Sequence, residues 1–191
     1  FTGCCGPSVF LGDNGPKEMY GDYIVCEPVG RLIRRAKITK VGGKNILSNA
    51  YPGEEFIAST DMNFRPVNSA TGPDGALYIC DMYRGIIQEG NWLRPGSYLR
   101  PVVEKYKLQD NVRRGRIYRV LHKSYRNTKQ PRMYEEKTAE LLKHLSHENG
   151  WWRLTAQKEI ILRQDKSVVP ALVQLTQKGD GIGRVHAMWT L

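Results

Sequence analysis

The sequence predicts a chain that is β first and α second. Residues 1–123 read as two four-stranded antiparallel blades of a partial β-propeller, 124–133 as a basic linker, and 134–191 as HEAT-like α-solenoid repeats. Three observations carry this. A series of short strands and turns near the start recurs further along in the same order. The apolar period then changes from two to three-and-four. A second repeat, of about thirty residues, runs through the helical part.

The first unit begins with Cys5-Gly6-Pro7-Ser8-Val9-Phe10-Leu11, turns through Gly12 to Gly15, and continues with Asp22 to Pro28 and Gly30 to Arg35. Glu55 to Thr60 supplies its fourth strand. The second unit reads Arg65-Pro66-Val67, a turn, Leu77 to Asp81 and, after an insertion, Gly115 to Val120. Cys26 then matches Cys80, Glu27 matches Asp81, and Gly30-Arg31-Leu32 matches Gly115-Arg116-Ile117, so an acid ends the second strand of each unit. Small antiparallel sheets recurring in this way describe propeller blades, which need neighbours on both sides to bury their faces. A β-sandwich of the same strands would not require equivalent residues at equivalent positions.

Within the second unit, Pro73-Asp74-Gly75 combines a fixed φ, an Asx-type side chain and a residue that tolerates positive φ, which is turn chemistry. The flanking segments, Val67 to Thr71 and Ala76 to Cys80, form a hairpin. A hairpin returns the chain to its starting end, so Asp61, Asn63 and Arg65 meet Asp81, Tyr83 and Arg84 there. The insertion from Gly85 to Arg114 is longer than a hairpin loop needs. Its aromatics Trp92, Tyr98 and Tyr106 argue for a packed segment, either a pocket wall or lid, or a buttress.

After Lys123 a polar, basic linker precedes helical spacing at Ala139, Leu142, Leu145, Trp152, Ala156, Ile160, Ile161, Val169, Leu172 and Leu175. Leu142-Lys143-His144-Leu145 answers Leu172-Val173-Gln174-Leu175, and Trp152 to Ala156 answers Gly183 to Ala187. Each unit is two short helices. His144, His147 and His186 lack a second ligand at fixed helical spacing and read as surface or turn residues.

The formal charge is +10, and between Pro101 and Arg132 ten Lys or Arg face only Glu104 and Asp110. Such a tract attracts nucleic acid, an acidic protein or an anionic polysaccharide, or is a solvated edge. Without a nucleic-acid module beside it, nucleic acid ranks last as a partner. No apolar run approaches the roughly 20 residues of a membrane span. The chain opens at Phe1-Thr2-Gly3 and stops at Trp189-Thr190-Leu191 inside an apolar helical pattern, which reads as a piece of something longer. The four cysteines include no C-x-x-C pair and no haem-attachment motif. In an exported chain Cys5 and Cys26 are placed to form a disulfide across a hairpin. A vicinal Cys4-Cys5 bridge and free thiols are the alternatives.

The runs CGPSVFLGD, CEPVGRLIRR, EFIASTDMNFRPVNSATGPDGALYICDMYRGIIQ, GRIYRV and RVHAMWTL together resemble a bacterial family. It is that of the membrane-bound-dehydrogenase-type β-propellers of planctomycetes, verrucomicrobia and Bacteroidetes, related to sorbosone and soluble glucose dehydrogenases. These are often followed by HEAT-like repeats and a c-type haem domain. The resemblance implies an exported, periplasmic or envelope-associated quinoprotein-like dehydrogenase. Such an enzyme oxidises a sugar or alcohol with pyrroloquinoline quinone (PQQ), often with calcium, and passes electrons to a c-type haem or cytochrome. On that reading Arg65 and Arg84, with Asn63 and Tyr83, hold cofactor or substrate, and Asp61, Glu27 and Asp81 coordinate metal or act as bases. The family's catalytic His and haem motif have no counterpart in this sequence. The alternative from a different class is a non-catalytic propeller and HEAT scaffold that binds a glycan or protein.

Overall fold

The structure, a computed structural model, describes residues 2–87 and 92–191. Antiparallel sheets occupy the first part and helices the last. Two compact units result. One comprises residues 1–10, 21–70 and 77–120, and the other 11–20, 71–76 and 121–191.

The first unit holds two sheets. In one, β1 (Cys5–Val9), β2 (Tyr23–Glu27), β3 (Leu32–Val41) and β4 (Lys44–Asn49) follow in sequence order, and β5 (Ile57–Ala58) also pairs with β3. The expected third strand, Gly30 to Arg35, is thus much longer than its repeat implies. Its start pairs with β5 through Leu32 opposite Ala58, while its far half pairs with β4 through a Gly42-Gly43 turn. The fourth strand expected from Glu55 to Thr60 shrinks to two residues, and the sheet has five strands instead of four. The other sheet has three among the described residues: β6 (Pro66–Thr71), β7 (Leu77–Asp81) and β8 (Arg116–Val120), in that order.

Alternation places Ile24, Cys26, Ile33 and Ile79 inside, all within 2% of complete burial. At β1 the register slips between Cys5 and Ser8. Gly6 sits there at φ +50, where a Cβ would lie 2.2 Å from the Val67 carbonyl oxygen, so only glycine lets this strand approach β6 so closely. The Ser8 and Ser69 hydroxyls close the same contact at 2.7 Å. Helix α1 (Leu99–Tyr106) belongs to the insertion, and it packs with aliphatic residues: Val103 and Leu108 form a small core with Ile86. Trp92, Tyr98 and Tyr106, the aromatics expected to anchor this segment, are 60%, 83% and 54% exposed. Residues 88–91 of the insertion lie outside the described residues.

In the second unit, α2 (Thr138–Leu141), α3 (Gly150–Arg163), α4 (Val169–Lys178) and α5 (Gly181–Thr190) surround a core of Leu141, Leu145, Ala156, Ile160, Val168, Leu172 and Ala187. The expected helical spacing is realised with small offsets, Leu141 and Val168 taking the buried places assigned to Leu142 and Val169. Ala156 and Ala187, matched by the helical repeat, are both fully buried. The linker ends in this core at Met133, which is 3% exposed.

The Gly72 to Ala76 turn belongs to the helical unit. Gly75 has φ +75, and Gly72 N donates to Ala76 O at 2.9 Å, as the turn chemistry requires. Asn149, 1% exposed, caps α3 by accepting from Trp151 N and donates to the Gly72 and Pro73 carbonyls. Trp152 Nε1 adds a 2.7 Å bond to Pro73 O. Arg153, 3% exposed, donates to the His147 and Glu148 carbonyls, to Tyr20 Oη and to His186 Nε2. That last bond makes His186 Nε2 the acceptor, so the proton sits on Nδ1, facing Gln157 Oε1 at 2.7 Å. No helix among the described residues is long and apolar enough to cross a membrane.

Candidate functional site

The hairpin gathers the expected charged residues at one end of the first unit, but most of them are turned toward the backbone. Glu27 closes β2 and is 2% exposed. Its Oε2 accepts from Thr2 N at 2.9 Å and Gly3 N at 3.0 Å, and its Oε1 from Val29 N at 3.0 Å and Gly30 N at 3.4 Å. Burial acts to raise its pKa, but the four amides outweigh it and hold the carboxyl below its ordinary value. Asp81 closes β7 in the same way. Its Oδ1 accepts from Arg65 N at 2.7 Å and Tyr83 N at 2.8 Å.

The correspondence is position by position. Each acid binds the amide two residues after it and the amide of the segment leading into the first strand of its unit. Glu27 and Asp81 are therefore staples that tie strand starts to strand ends. Cys26 and Cys80 precede them equivalently but are placed differently, Cys26 buried and Cys80 exposed.

Arg65 is a brace. Its Nε donates to Arg84 O, Nη2 to Gly85 O, and Nη1 to Pro28 O at 2.6 Å and Val29 O at 3.3 Å. Four of the five guanidinium N–H groups are thus given to carbonyls of the two strand-end loops. Burial, and then neighbouring Arg31, press its pKa below the ordinary arginine value, with Asp81 opposing. Arg84, the other expected anion-binding residue, contributes its carbonyl to this brace.

One group at this end remains open. Asp61 is exposed, and its Oδ1 accepts from Asn63 N at 2.9 Å and Asn63 Nδ2 at 3.2 Å. Partial burial would raise its pKa, but bonds from Asn63 and the Tyr83 hydroxyl, with the charge of Arg116, hold it below the ordinary value. Tyr83 adopts φ +45, a region costly for an aromatic residue, and is held there by Asp81 at its N–H and by Asn111 Nδ2 at its carbonyl, 2.7 Å away. The Arg116 guanidinium lies 3.3 Å from the Tyr83 ring centroid. Arg116 and Asn111 were missed by the sequence reading. The signal for Arg116 was present, since it follows Gly115 in the repeated Gly-Arg-apolar step and faces Asp81 across the β7–β8 ladder.

Chemically, this end offers an ionised carboxylate, an amide, a phenol and a stacked guanidinium, a set that can bond hydroxyls or an anionic group. Among the described residues, Arg31 Nε, Asn63 Oδ1 and Asp81 Oδ2 are buried without a hydrogen-bond partner. Calcium does not fit the three carboxylates named for it. Both oxygens of Glu27 and one of Asp81 are committed to amides, and among the described residues no three His, Cys, Asp or Glu side chains converge as metal ligands. Arg65, bonded to four carbonyls, keeps one guanidinium N–H for a ligand. Cys5 and Cys26 stand opposite each other in the β1–β2 ladder, and both are free thiols, as is Cys4. Burial, with Cys5 nearby, pushes Cys26 up to about 12.

A family model described as a domain of unknown function, DUF7133, matches residues 1–124 of this chain. No curated protein and no solved structure matches it.

Proposed function

We propose that this chain, which belongs to the DUF7133 family, contributes structural blades of a β-propeller and the first HEAT-like repeats to an exported, envelope-associated dehydrogenase. The reacting base, quinone, calcium and haem are carried by other parts of that protein. The observation that carries this reading is the equivalence of the Glu27 and Asp81 staples, because it gives the repeated acids a structural role in the same place in both sheets. Blades need neighbours on both sides to bury their faces. Val185 and Trp189 of α5, 52% and 76% exposed, likewise suit a further solenoid repeat. The dehydrogenase activity rests on the sequence resemblance. The open Asp61, Asn63, Tyr83 and Arg116 group is what this chain would offer to a sugar or alcohol hydroxyl.

The test is a titration of the full-length protein with PQQ and calcium, followed by absorbance and melting temperature, together with the Glu27→Gln and Asp81→Asn variants. The expected result is a quinone-dependent change in both signals that the folded variants retain. Unchanged absorbance and melting temperature remove the quinoprotein reading. Loss of quinone binding in variants that melt like the parent removes the structural role of the acids. A non-catalytic propeller and HEAT scaffold is the second reading, favoured by the commitment of Arg65 to carbonyls. It predicts no quinone response and binding of a glycan or protein.

A further inference from the structure

Among the described residues the β3–β4 hairpin has no counterpart in the second sheet, and blade formation does not explain it. Beyond Ala36 the two strands run on as an arm through the pairs Ile38 with Leu47, Thr39 with Ile46 and Val41 with Lys44. Every residue of the arm but Ile38 is exposed up to Ser48, including Val41 at 60%, Ile46 at 49% and Leu47 at 55%. Strand β4 ends the sheet order, so among the described residues the outer edge of Lys44–Asn49 faces no other strand. An unpaired edge presents alternating N–H and C=O groups to a further strand.

Two more features say what that strand would be. At the base of the arm, Tyr23, Val25, Ala36 and Leu47 line a cavity of about 250 Å³, on the face that also carries Ile38. The arm itself is basic. Lys37, Lys40 and Lys44 lie on it, and no Asp or Glu occurs from Pro28 to Gly53. Arg34 and Arg35 in this stretch are neutralised by Glu55 and Asp22, whereas the three lysines have no ion-pair partner among the described residues. A second copy of the arm would bring like charges together along the new ladder, which opposes self-pairing.

We infer that the β3–β4 arm docks an extended acidic polypeptide segment, which adds a strand to the edge of β4 and places alternate apolar side chains toward the Leu47 groove. Main-chain bonds supply affinity, the groove selects side chains at every second position, and the lysines select sign. This goes beyond the proposed function and does not depend on any quinone.

The probe is a fluorescent eight-residue peptide alternating Glu and Val, measured by anisotropy on the full-length protein. Its Lys–Val counterpart and a form N-methylated at alternate residues on either edge are measured beside it. Binding of the Glu–Val peptide is expected, with loss for the Lys–Val peptide and for the form methylated on the pairing edge. The K37E/K40E/K44E variant should weaken binding by about tenfold or more, and Leu47→Lys by several-fold. These residues are exposed, and an unchanged melting curve checks that each variant is folded. No binding at millimolar peptide overturns the inference. So does binding that responds to salt and the lysines but not to N-methylation or Leu47→Lys, which would mark a surface for anionic polymers. Concentration-dependent dimers abolished by Leu47→Lys would assign the edge to a second copy and overturn it equally.

Discussion

Removing the Glu27 carboxylate should unfold the first unit more easily without touching any chemistry. Four amides at 2.9 to 3.4 Å use its two oxygens, and the side chain is almost wholly buried. In Glu27→Ala those donors lose a charged acceptor. A hydrogen bond to a charged group is worth about 1.5–3 kcal/mol, and water can reach the Thr2 end of the network, so a loss of roughly 2–4 kcal/mol is expected. For a chain of this size that lowers the melting temperature by about 5–15 °C. Glu27→Gln keeps the shape but turns one acceptor into a donor facing N–H groups, and should lose about half as much. The folded carboxyl lies below its ordinary value of 4.5, so its contribution is present above that pH and is lost as pH falls through the folded value. Urea unfolding of parent, Gln and Ala forms at pH 7 and in strong acid measures both effects. Variants within about 0.5 kcal/mol of the parent at pH 7, or a parent whose advantage over Glu27→Gln persists unchanged into strong acid, would refute the staple.

Three further outcomes follow from the same geometry. Asp22 and Arg35 form a nearly buried ion pair, Oδ2 to Nε at 2.5 Å with Tyr51 Oη 3.2 Å from the guanidinium; Asp22→Ala should cost about 3–5 kcal/mol by removing the carboxylate that offsets the arginine's buried charge, and a double-mutant cycle with Arg35→Met should recover much of it. His147 and His186 are both held below the ordinary 6.5, chiefly by burial, so the unfolded chain protonates first; stability should be full above pH 6.5 and decline below it, and His186→Gln should flatten that decline in tryptophan-monitored unfolding. Cys26, buried and pushed up to about 12, should resist iodoacetamide at pH 7.5 in the native protein while exposed Cys4 and Cys80 are alkylated, as peptide mass mapping would show; equal labelling would mean that the β1–β2 ladder is open.

Much of the fold was legible because repeats and turns are local signals. Pro73-Asp74-Gly75 specifies its own turn, and the change of apolar period at the linker marks where sheet gives way to helix. The hairpin's return also brought Asp61, Asn63, Arg65, Asp81, Tyr83 and Arg84 to one end, as chain geometry requires. What those residues do there was not legible. Whether Arg65 meets a ligand or four carbonyls depends on where the Pro28 and Gly85 loops stand, and these are 37 and 20 residues away along the chain. The aromatics of the insertion misled for the same reason, since size and hydrophobicity state a capacity for burial but not which side of a segment faces a neighbour.

By itself the amino-acid order determined the order of elements, the matched acids and the positions of the turns, because each depends on neighbours a few residues apart. Only the tertiary structure decided that Glu27 and Asp81 hold backbone amides, that Arg116 joins Tyr83, and that β3 runs on into an open arm. The physical reason is that a charged side chain takes whichever partner removes its desolvation cost most completely. That choice is made between segments distant in sequence, after they have come together.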